Sequence, residues 1–188
     1  MRVLLICLAC GALAAPLRAV GGARTCAGVD VPETLASAGR SLMLNGTGLR
    51  EATIFEVDVY VAALYVETKS RNPKALLNRN EHKTVVLHFV RDVSREDLVE
   101  EMAEGFKLNA PRAPAANKAR LFSFMRDLKE GEQIRFDYIP TKGLEVSVGG
   151  TLKGLIPGAR FASAVLSLLI GPHPPNAELK KGLLGAGC

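Results

Sequence analysis

One long segment, residues 45–67, limits the folds open to this chain more than any other part of the sequence. From Phe55 onward every second residue is apolar, and many of these residues are β-branched or aromatic. That alternation is typical of a strand with one face in a core. The intervening positions begin acidic and become apolar from Ala62 onward. A strand that is apolar on both faces is covered on both faces, either by protein or by an apolar ligand.

The turn that precedes this strand is predicted at Asn45-Gly46, a pair that favours tight turns. A short strand over residues 40–44 is expected to enter it. Beyond the turn, Arg50 and Tyr60 are both even-numbered, so an unbroken strand would direct both side chains to one face.

These two side chains form a candidate anion site. A guanidinium matches a carboxylate in bidentate fashion, and a phenol can donate to the same oxygen. At the mouth of an apolar cavity, Arg50 and Tyr60 would hold the head of an amphipathic acid, while its tail would lie along the sheet at Ala62 and Leu64. The alternative is that Arg50 pairs on the surface with Glu51 or Asp58 and that Tyr60 is a core residue.

The remainder of the chain predicts an α+β fold with a mainly antiparallel sheet. Residues 15–38, rich in Gly, Ala and Pro, are expected to form a loosely packed lead-in. Further strands are predicted at 83–90, 133–139, 144–148 and 151–156. Helices are predicted at 73–77, from a cap at Ser94 to about 106, and at 117–129, 158–170 and 177–184. Four glutamates of the second helix are interpreted as its solvated face: Glu96, Glu100, Glu101 and Glu104.

The N-terminus has the pattern of a secretory signal peptide. Arg2 precedes an apolar run that is too short to span a bilayer, and small residues end it at Ala14. We expect a signal peptide over residues 1–14, with cleavage as late as Ala19 as the alternative. The mature protein would then be exported, periplasmic or secreted, with no transmembrane anchor. The other interpretation of this run is a buried N-terminal helix.

Removal of that segment would leave two cysteines, Cys26 and Cys188. In an exported protein they could form a disulfide, or they could remain two independent thiols. The three histidines are scattered, and the spacing of the cysteines carries no metal signature, so no metal and no cofactor are expected. The formal charge is +5, but the sequence has no basic tract interleaved with aromatic residues, so nucleic-acid binding is not expected.

Three stretches together resemble chalcone isomerase-like proteins: residues 44–50, 59–66 and 157–162. The similarity is greatest to the exported bacterial-type branch, and it covers one domain at residues 31–184. The resemblance implies an open-faced β-sandwich, in which a large antiparallel sheet and a helical layer enclose a ligand cleft. It also implies that any activity needs neither cofactor nor metal.

The resemblance extends unevenly to the catalytic residues of the family's plant enzymes. Arg50 matches the arginine that positions the chalcone oxyanion, while Tyr60 stands where those enzymes carry a threonine. The remaining catalytic positions are not matched, and they fall on Arg95, Met102 and Leu168, or Ser167. An arginine paired with a tyrosine instead resembles the fatty-acid-binding relatives of the same fold.

The sequence therefore favours a protein that binds a fatty acid or another small amphipathic acid and does not turn it over. One alternative is an isomerase of the chalcone isomerase type (an intramolecular lyase), which would cyclise an enone with Arg50 and Tyr60 as its catalytic residues. A second alternative is an accessory module that binds a protein partner.

Overall fold

A computed structural model describes residues 22–52 and 57–188 of the chain. Within these ranges the strands are β1 (Ala23–Cys26), β2 (Val29–Pro32), β3 (Thr34–Ser37), β4 (Arg40–Ala52), β5 (Val57–Val66), β6 (Lys83–Phe89), β7 (Gln133–Ile139), β8 (Gly143–Val148) and β9 (Thr151–Ile156). The α-helices are α1 (Pro73–Asn78), α2 (Arg95–Asn109), α3 (Ala115–Ser123), α4 (Ala159–Ile170) and α5 (Ala177–Lys181), and a π-helical turn follows at Gly182–Ala186. The predicted signal peptide and Phe55 lie outside the described residues.

Strands β3 to β9 form one curled antiparallel sheet in which each strand pairs with its neighbours in sequence. The hairpin of β1 and β2 forms a separate two-stranded sheet. The predicted α+β class with a mainly antiparallel sheet is confirmed.

The Asn45-Gly46 turn was a wrong prediction, because both residues lie inside the continuous strand β4. Leu44 pairs with Tyr65 and Gly46 with Leu64, so Asn45 is an extra residue that forms a β-bulge. Its amide nitrogen donates to the carbonyl oxygens of Ser70 (3.1 Å) and Leu183 (2.7 Å), and its side-chain oxygen accepts from the Ser70 N–H (2.8 Å). Asn45 is thus held in place by hydrogen bonds to distant segments rather than by turn geometry.

The bulge at Asn45 decides which face of the sheet carries Arg50. Side chains alternate along a strand, so one inserted residue moves every later side chain to the opposite face. Leu42 and Leu44 lie on the face covered by the β1–β2 hairpin, whereas Gly48 and Arg50 lie on the other face, opposite Ala62 and Tyr60. Arg50 and Tyr60 share a face as predicted, but not along one unbroken strand: Arg50 lies on β4 and Tyr60 on β5, and the two are directly opposed in the antiparallel pair. The bulge places both on the face opposite to Leu42 and Leu44.

The lead-in at residues 15–38 was also predicted wrongly from residue 23 onward, where it forms β1, β2 and β3. Two Ala-Gly pairs make this possible, at residues 27–28 and 38–39. All four residues have positive φ (44° and 78°, then 45° and 77°), the backbone conformation of the tight hairpin turns that match strand twist. Glycine occupies the second position of each turn, as is usual, but alanine occupies the first position, where Asn or Asp is usual.

The sheet is covered on both faces by protein. The β1–β2 hairpin closes a smaller core around Val61 and Tyr65, and the helices cover the larger core on the other face. A disulfide joins Cys26 of β1 to Cys188, with the two Cα atoms 5.5 Å apart. This bond connects the hairpin layer to the C-terminal segment.

The remaining helices agree broadly with the sequence prediction. Ser94 caps α2, and its hydroxyl accepts a hydrogen bond from the Asp97 N–H (3.1 Å). Helix α3 ends at Ser123, six residues before its predicted end, because Leu128 instead forms a β-bridge with Val93. The predicted helix at 177–184 passes into the π-helical turn, which ends through Gly185 at a φ of 97°.

Candidate ligand-binding site

A cavity of about 860 Å³ lies between the sheet and the helical layer. Alternate residues of β6 and β7 form its floor, and the buried faces of α2 and α4 form its roof. Most of the side chains that line its middle are apolar: Val85, Leu87, Phe89, Phe136, Leu98, Met102, Val165, Leu166 and Leu169. A cavity of this size and lining suits an apolar small molecule that carries a polar group.

Arg50 and Tyr60 lie together at one end of this cavity. They are directly opposed in the β4–β5 register, and the Tyr60 ring packs edge-on against Phe89 with ring centroids 5.5 Å apart. The Arg50 side chain is 15% exposed, and Tyr60 is 4% exposed. The predicted pairing of Arg50 and Tyr60 at an apolar cavity is therefore present in the structure.

A third residue, Glu101 of α2, completes this end of the cavity. Its Oε1 atom lies 3.1 Å from Arg50 Nε and accepts a hydrogen bond from the Tyr60 hydroxyl at 3.3 Å. Arg50 Nη1 also donates to the carbonyl oxygen of Glu51. Among the described residues, Arg50 forms its ion pair with Glu101 and not with Glu51 or Asp58.

Glu101 was wrongly assigned to the solvated face of α2. Its side chain is 37% exposed, and it reaches the cavity from the edge of the helix's buried face. The signal was available in the spacing, because Leu98, Glu101 and Gly105 recur at i, i+3 and i+7 and all three line the cavity. Glu100 and Glu104 also line the cavity, but Glu101 is the glutamate that contacts Arg50 and Tyr60.

The electrostatics of this end keep the phenol protonated. Burial raises the pKa of Tyr60 well above its ordinary value, and the negative charge of Glu101 raises it further, against the opposing effect of Arg50. Tyr60 is therefore a hydrogen-bond donor at neutral pH. Together with Arg50, it provides two donors that converge on one carboxylate oxygen.

Ala62 and Leu64 lie on the same face as Tyr60 but outside the cavity lining. They are opposed across the β4–β5 register by Gly48 and Gly46. A Cβ on Gly48 would lie 2.4 Å from the Leu179 carbonyl oxygen, so the C-terminal segment packs directly on the backbone here. The apolar wall lies instead on the neighbouring strands β6 and β7.

The opposite end of the cavity carries a second polar group that the sequence did not indicate. Lys83 and Tyr138 face each other in the β6–β7 register, with Lys83 Nζ 5.8 Å from the centre of the Tyr138 ring. The Tyr138 hydroxyl donates to Asn80 Oδ1, and Lys83 Nζ donates to the carbonyl oxygen of Arg79. All four residues line the cavity.

Known proteins place this architecture in a family. The model of the chalcone isomerase-like family matches residues 23–185. The chain belongs to the chalcone isomerase-like family. Its fold is also that of a fatty-acid binding protein of Arabidopsis thaliana, with a TM-score of 0.71, 16% sequence identity, and coverage of 87% of this chain and 96% of that one. No curated protein sequence shows significant similarity to the chain.

The other catalytic positions of the family's enzymes can now be located. Met102 and Leu168 line the cavity, whereas Arg95 and Ser167 do not. Arg95 Nε donates to the Met125 carbonyl oxygen (3.2 Å), and the Ser167 hydroxyl donates to the Ala164 carbonyl oxygen one turn back (2.6 Å). Of the residues that the resemblance aligned with the catalytic set, Arg50, Tyr60, Met102 and Leu168 therefore line the cavity.

Within 22–52 and 57–188, no three His, Cys, Asp or Glu side chains are grouped so that they could hold a metal ion. In the same ranges no helix combines the length and the apolar character needed to cross a membrane.

Proposed function

We propose that this protein binds a fatty acid or a similar amphipathic carboxylate, with the headgroup between Arg50 and Tyr60 and the chain along β6 and β7, and that it does not turn the ligand over. The observation that carries the proposal is the position of Glu101. Its Oε1 already receives the Tyr60 hydroxyl and Arg50 Nε, so this pair accommodates a carboxylate oxygen. The solved Arabidopsis thaliana relative of this fold is a fatty-acid binding protein, which supports the same ligand class.

Binding requires Glu101 to leave this position. More than a third of its side chain is exposed, so the carboxylate can rotate into water and regain its hydration at small cost. Arg50 is much less exposed and stays under the helices, where an incoming carboxylate replaces the one that left. The ligand's free-energy gain then comes mainly from its alkyl chain, at about 0.8 kcal/mol per buried methylene.

Native mass spectrometry of gently purified protein tests this proposal. We expect wild-type protein to carry an acyl ligand that Arg50→Ala loses. Arg40→Ala is the matched control, because Arg40 lies on the same strand, is 65% exposed and pairs with Glu67 away from the cavity. Wild-type protein that is empty, and that takes up no added hexadecanoic acid, would rule out the proposal.

An isomerase remains the second candidate, favoured by the position of Arg50 beside the Tyr60 donor at the end of the cavity. In that function Arg50 would stabilise the attacking oxyanion, and Tyr60 would donate to the substrate ketone. Loss of chalcone absorbance well above the spontaneous rate, abolished in Arg50→Ala, would establish it. A protein-interaction module is less well supported. Its interior would be filled by side chains, whereas this protein contains a cavity.

We also propose that the protein is exported. The Cys26–Cys188 disulfide supports this, because such bonds persist in oxidising compartments and are rare in the cytosol. Thiol alkylation of protein taken directly from cells should leave both cysteines unmodified until a reductant is added. Modification of both thiols without reductant would contradict export.

A further inference from the structure

The two ends of the cavity carry similar pairs of groups, each a cation beside a phenol. Arg50 and Tyr60 lie at one end, where Tyr60 pairs with Phe89 of β6. Lys83 and Tyr138 lie at the other, and Lys83 is the first residue of β6. Six residue steps of about 3.4 Å separate Phe89 from Lys83, so the two ends are about 20 Å apart along the strand.

The two cations differ in how they are neutralised. Arg50 is paired with Glu101, whereas none of the ion pairs formed by the described residues includes Lys83. Lys83 is only 6% exposed. Lysine is rarely buried without a partner, because removing its charge from water is costly. A buried cation that lines an apolar cavity and lacks a carboxylate contact is therefore complementary to an anion from a ligand.

We propose that the cavity is built for a chain with an acidic group at each end, a long α,ω-dicarboxylate, with one carboxylate at Arg50 and Tyr60 and the other at Lys83 and Tyr138. This inference rests on the proposed function, since it uses the same cavity and the same first anchor. It assigns the Lys83 end as a second headgroup site. A simple fatty acid would instead leave its methyl terminus beside a buried ammonium group.

The donors at the Lys83 end suit this role. The ammonium group has three N–H donors, of which one is used by the Arg79 carbonyl oxygen. Burial lowers the pKa of Lys83, opposed in part by the charge of Glu81 two residues away. A carboxylate in contact with Nζ would favour the charged form, and the Tyr138 hydroxyl would donate to the same carboxylate by releasing Asn80 Oδ1.

Calorimetric titration with hexadecanoic acid and hexadecanedioic acid, under identical conditions, tests this inference. We expect wild-type protein to bind the diacid about tenfold more tightly than the monoacid, the gain typical of added charge-assisted hydrogen bonds. Lys83→Met keeps the length and apolar stem of the side chain but removes the charge. It should abolish the preference for the diacid while changing monoacid affinity by no more than about twofold. Tyr138→Phe should reduce the preference in part.

Matched controls separate this site from the first one and from general charge effects. Lys153→Met removes the same charge from an exposed position on β9 and should leave the preference intact. Arg50→Ala should weaken both acids. A diacid series from dodecanedioic to octadecanedioic acid should show a length optimum, because the distance between the Arg50 and Lys83 ends is fixed.

The outcomes distinguish the two proposals. If the monoacid binds through Arg50 and the diacid binds no better, the fatty-acid function stands and the second headgroup site is refuted. If neither acid binds, both proposals fail. If Lys83→Met lowers stability but leaves the ratio of the two affinities unchanged, Lys83 serves only to hold the end of α1 and the inference is overturned.

Discussion

The two faces of the curled sheet treat polar groups in opposite ways. On the hairpin-covered face, Asp137 of β7 accepts hydrogen bonds from Ser37, Thr84 and Arg135 at 2.6–2.8 Å, and His82 lies 3.0 Å from the Ser37 hydroxyl. On the cavity face, a hollow space has an apolar floor on β6 and β7, and the polar pairs Arg50–Tyr60 and Lys83–Tyr138 lie at opposite ends of it. On the hairpin-covered face the polar groups fix the sheet, whereas on the cavity face they are able to exchange their hydrogen-bond partners.

The hydrogen-bond network on the hairpin-covered face connects strands that are distant from each other in the sheet. Ser37 ends the edge strand β3, while Asp137 and Arg135 lie on β7, four strands farther into the sheet. Arg135 also donates to the Ala36 carbonyl oxygen at 3.2 Å. These contacts cross the concave side of the sheet, so they hold its curl and, with it, the shape of the cavity floor on the other side.

Removal of the Asp137 carboxylate should give the largest effect on stability. Asp137→Ala leaves the buried hydroxyls of Ser37 and Thr84 and the partly buried guanidinium of Arg135 without their acceptor, and we expect a loss of about 3 kcal/mol in the free energy of unfolding. Urea unfolding measures it. Glu178→Ala is the control, because its ion pair with Lys181 is exposed and should contribute less than about 0.5 kcal/mol. A loss for Asp137→Ala as small as the control's would show that the network does not fix the sheet.

Replacement of Glu101 should produce a smaller effect, which is on ligand affinity and is a gain rather than a loss. Glu101→Gln removes the internal anion that competes with the ligand for Arg50 and Tyr60. We expect hexadecanoic acid to bind about two- to fivefold more tightly, the equivalent of a partly exposed ion pair. Calorimetry compares it with Glu96→Gln, an exposed residue of α2 outside the cavity. Weaker binding by Glu101→Gln would mean that Glu101 assists the ligand instead of competing with it.

The smallest effect is the contribution of His82, on the hairpin-covered face, to the pH dependence of stability. Burial lowers the pKa of His82 below its ordinary value of 6.5, although the charge of Asp137 acts to raise it. The unfolded chain therefore takes up a proton at this residue before the folded chain does. Stability should fall as pH decreases through about 6.5, since the unfolded state then binds more protons.

Urea unfolding of the wild type and of His82→Gln, from pH 7.5 to pH 5.5, isolates this contribution. Asp137 does not interfere, because hydrogen bonds from Arg135, Ser37 and Thr84 outweigh its burial and hold its pKa below 3.8. We expect the wild type to lose more stability than His82→Gln over the range. Equal slopes for the two proteins would contradict a buried, neutral His82.

The sequence predicted the parts of this molecule that depend on local periodicity. The alternation of β5 and β6, the three strands from residue 133 onward and the Ser94 cap are local signals, and the structure contains all of them. The pairing of Arg50 with Tyr60 followed from parity along the same segment. The shared face was correct for a different reason, because the two residues lie on separate strands, β4 and β5, and are direct cross-strand neighbours.

The features that the sequence did not reveal depend on contacts between distant segments. Asn45 forms a bulge because Ser70 and Leu183 satisfy its amide, and neither residue is near it in sequence. Glu101 faces inward because Arg50 lies opposite it. A distant segment also decides the surroundings of Ala62 and Leu64. Their side of the sheet is covered by the C-terminal segment, which the disulfide anchors.

A crystal structure of the wild-type protein with hexadecanoic acid tests the central claim most directly. The account predicts one carboxylate oxygen of the ligand between Arg50 Nε and the Tyr60 hydroxyl, Glu101 rotated toward solvent, and the alkyl chain along Val85 and Leu87. A structure in which Glu101 still pairs with Arg50 and the fatty acid lies elsewhere, or is not bound at all, would contradict it.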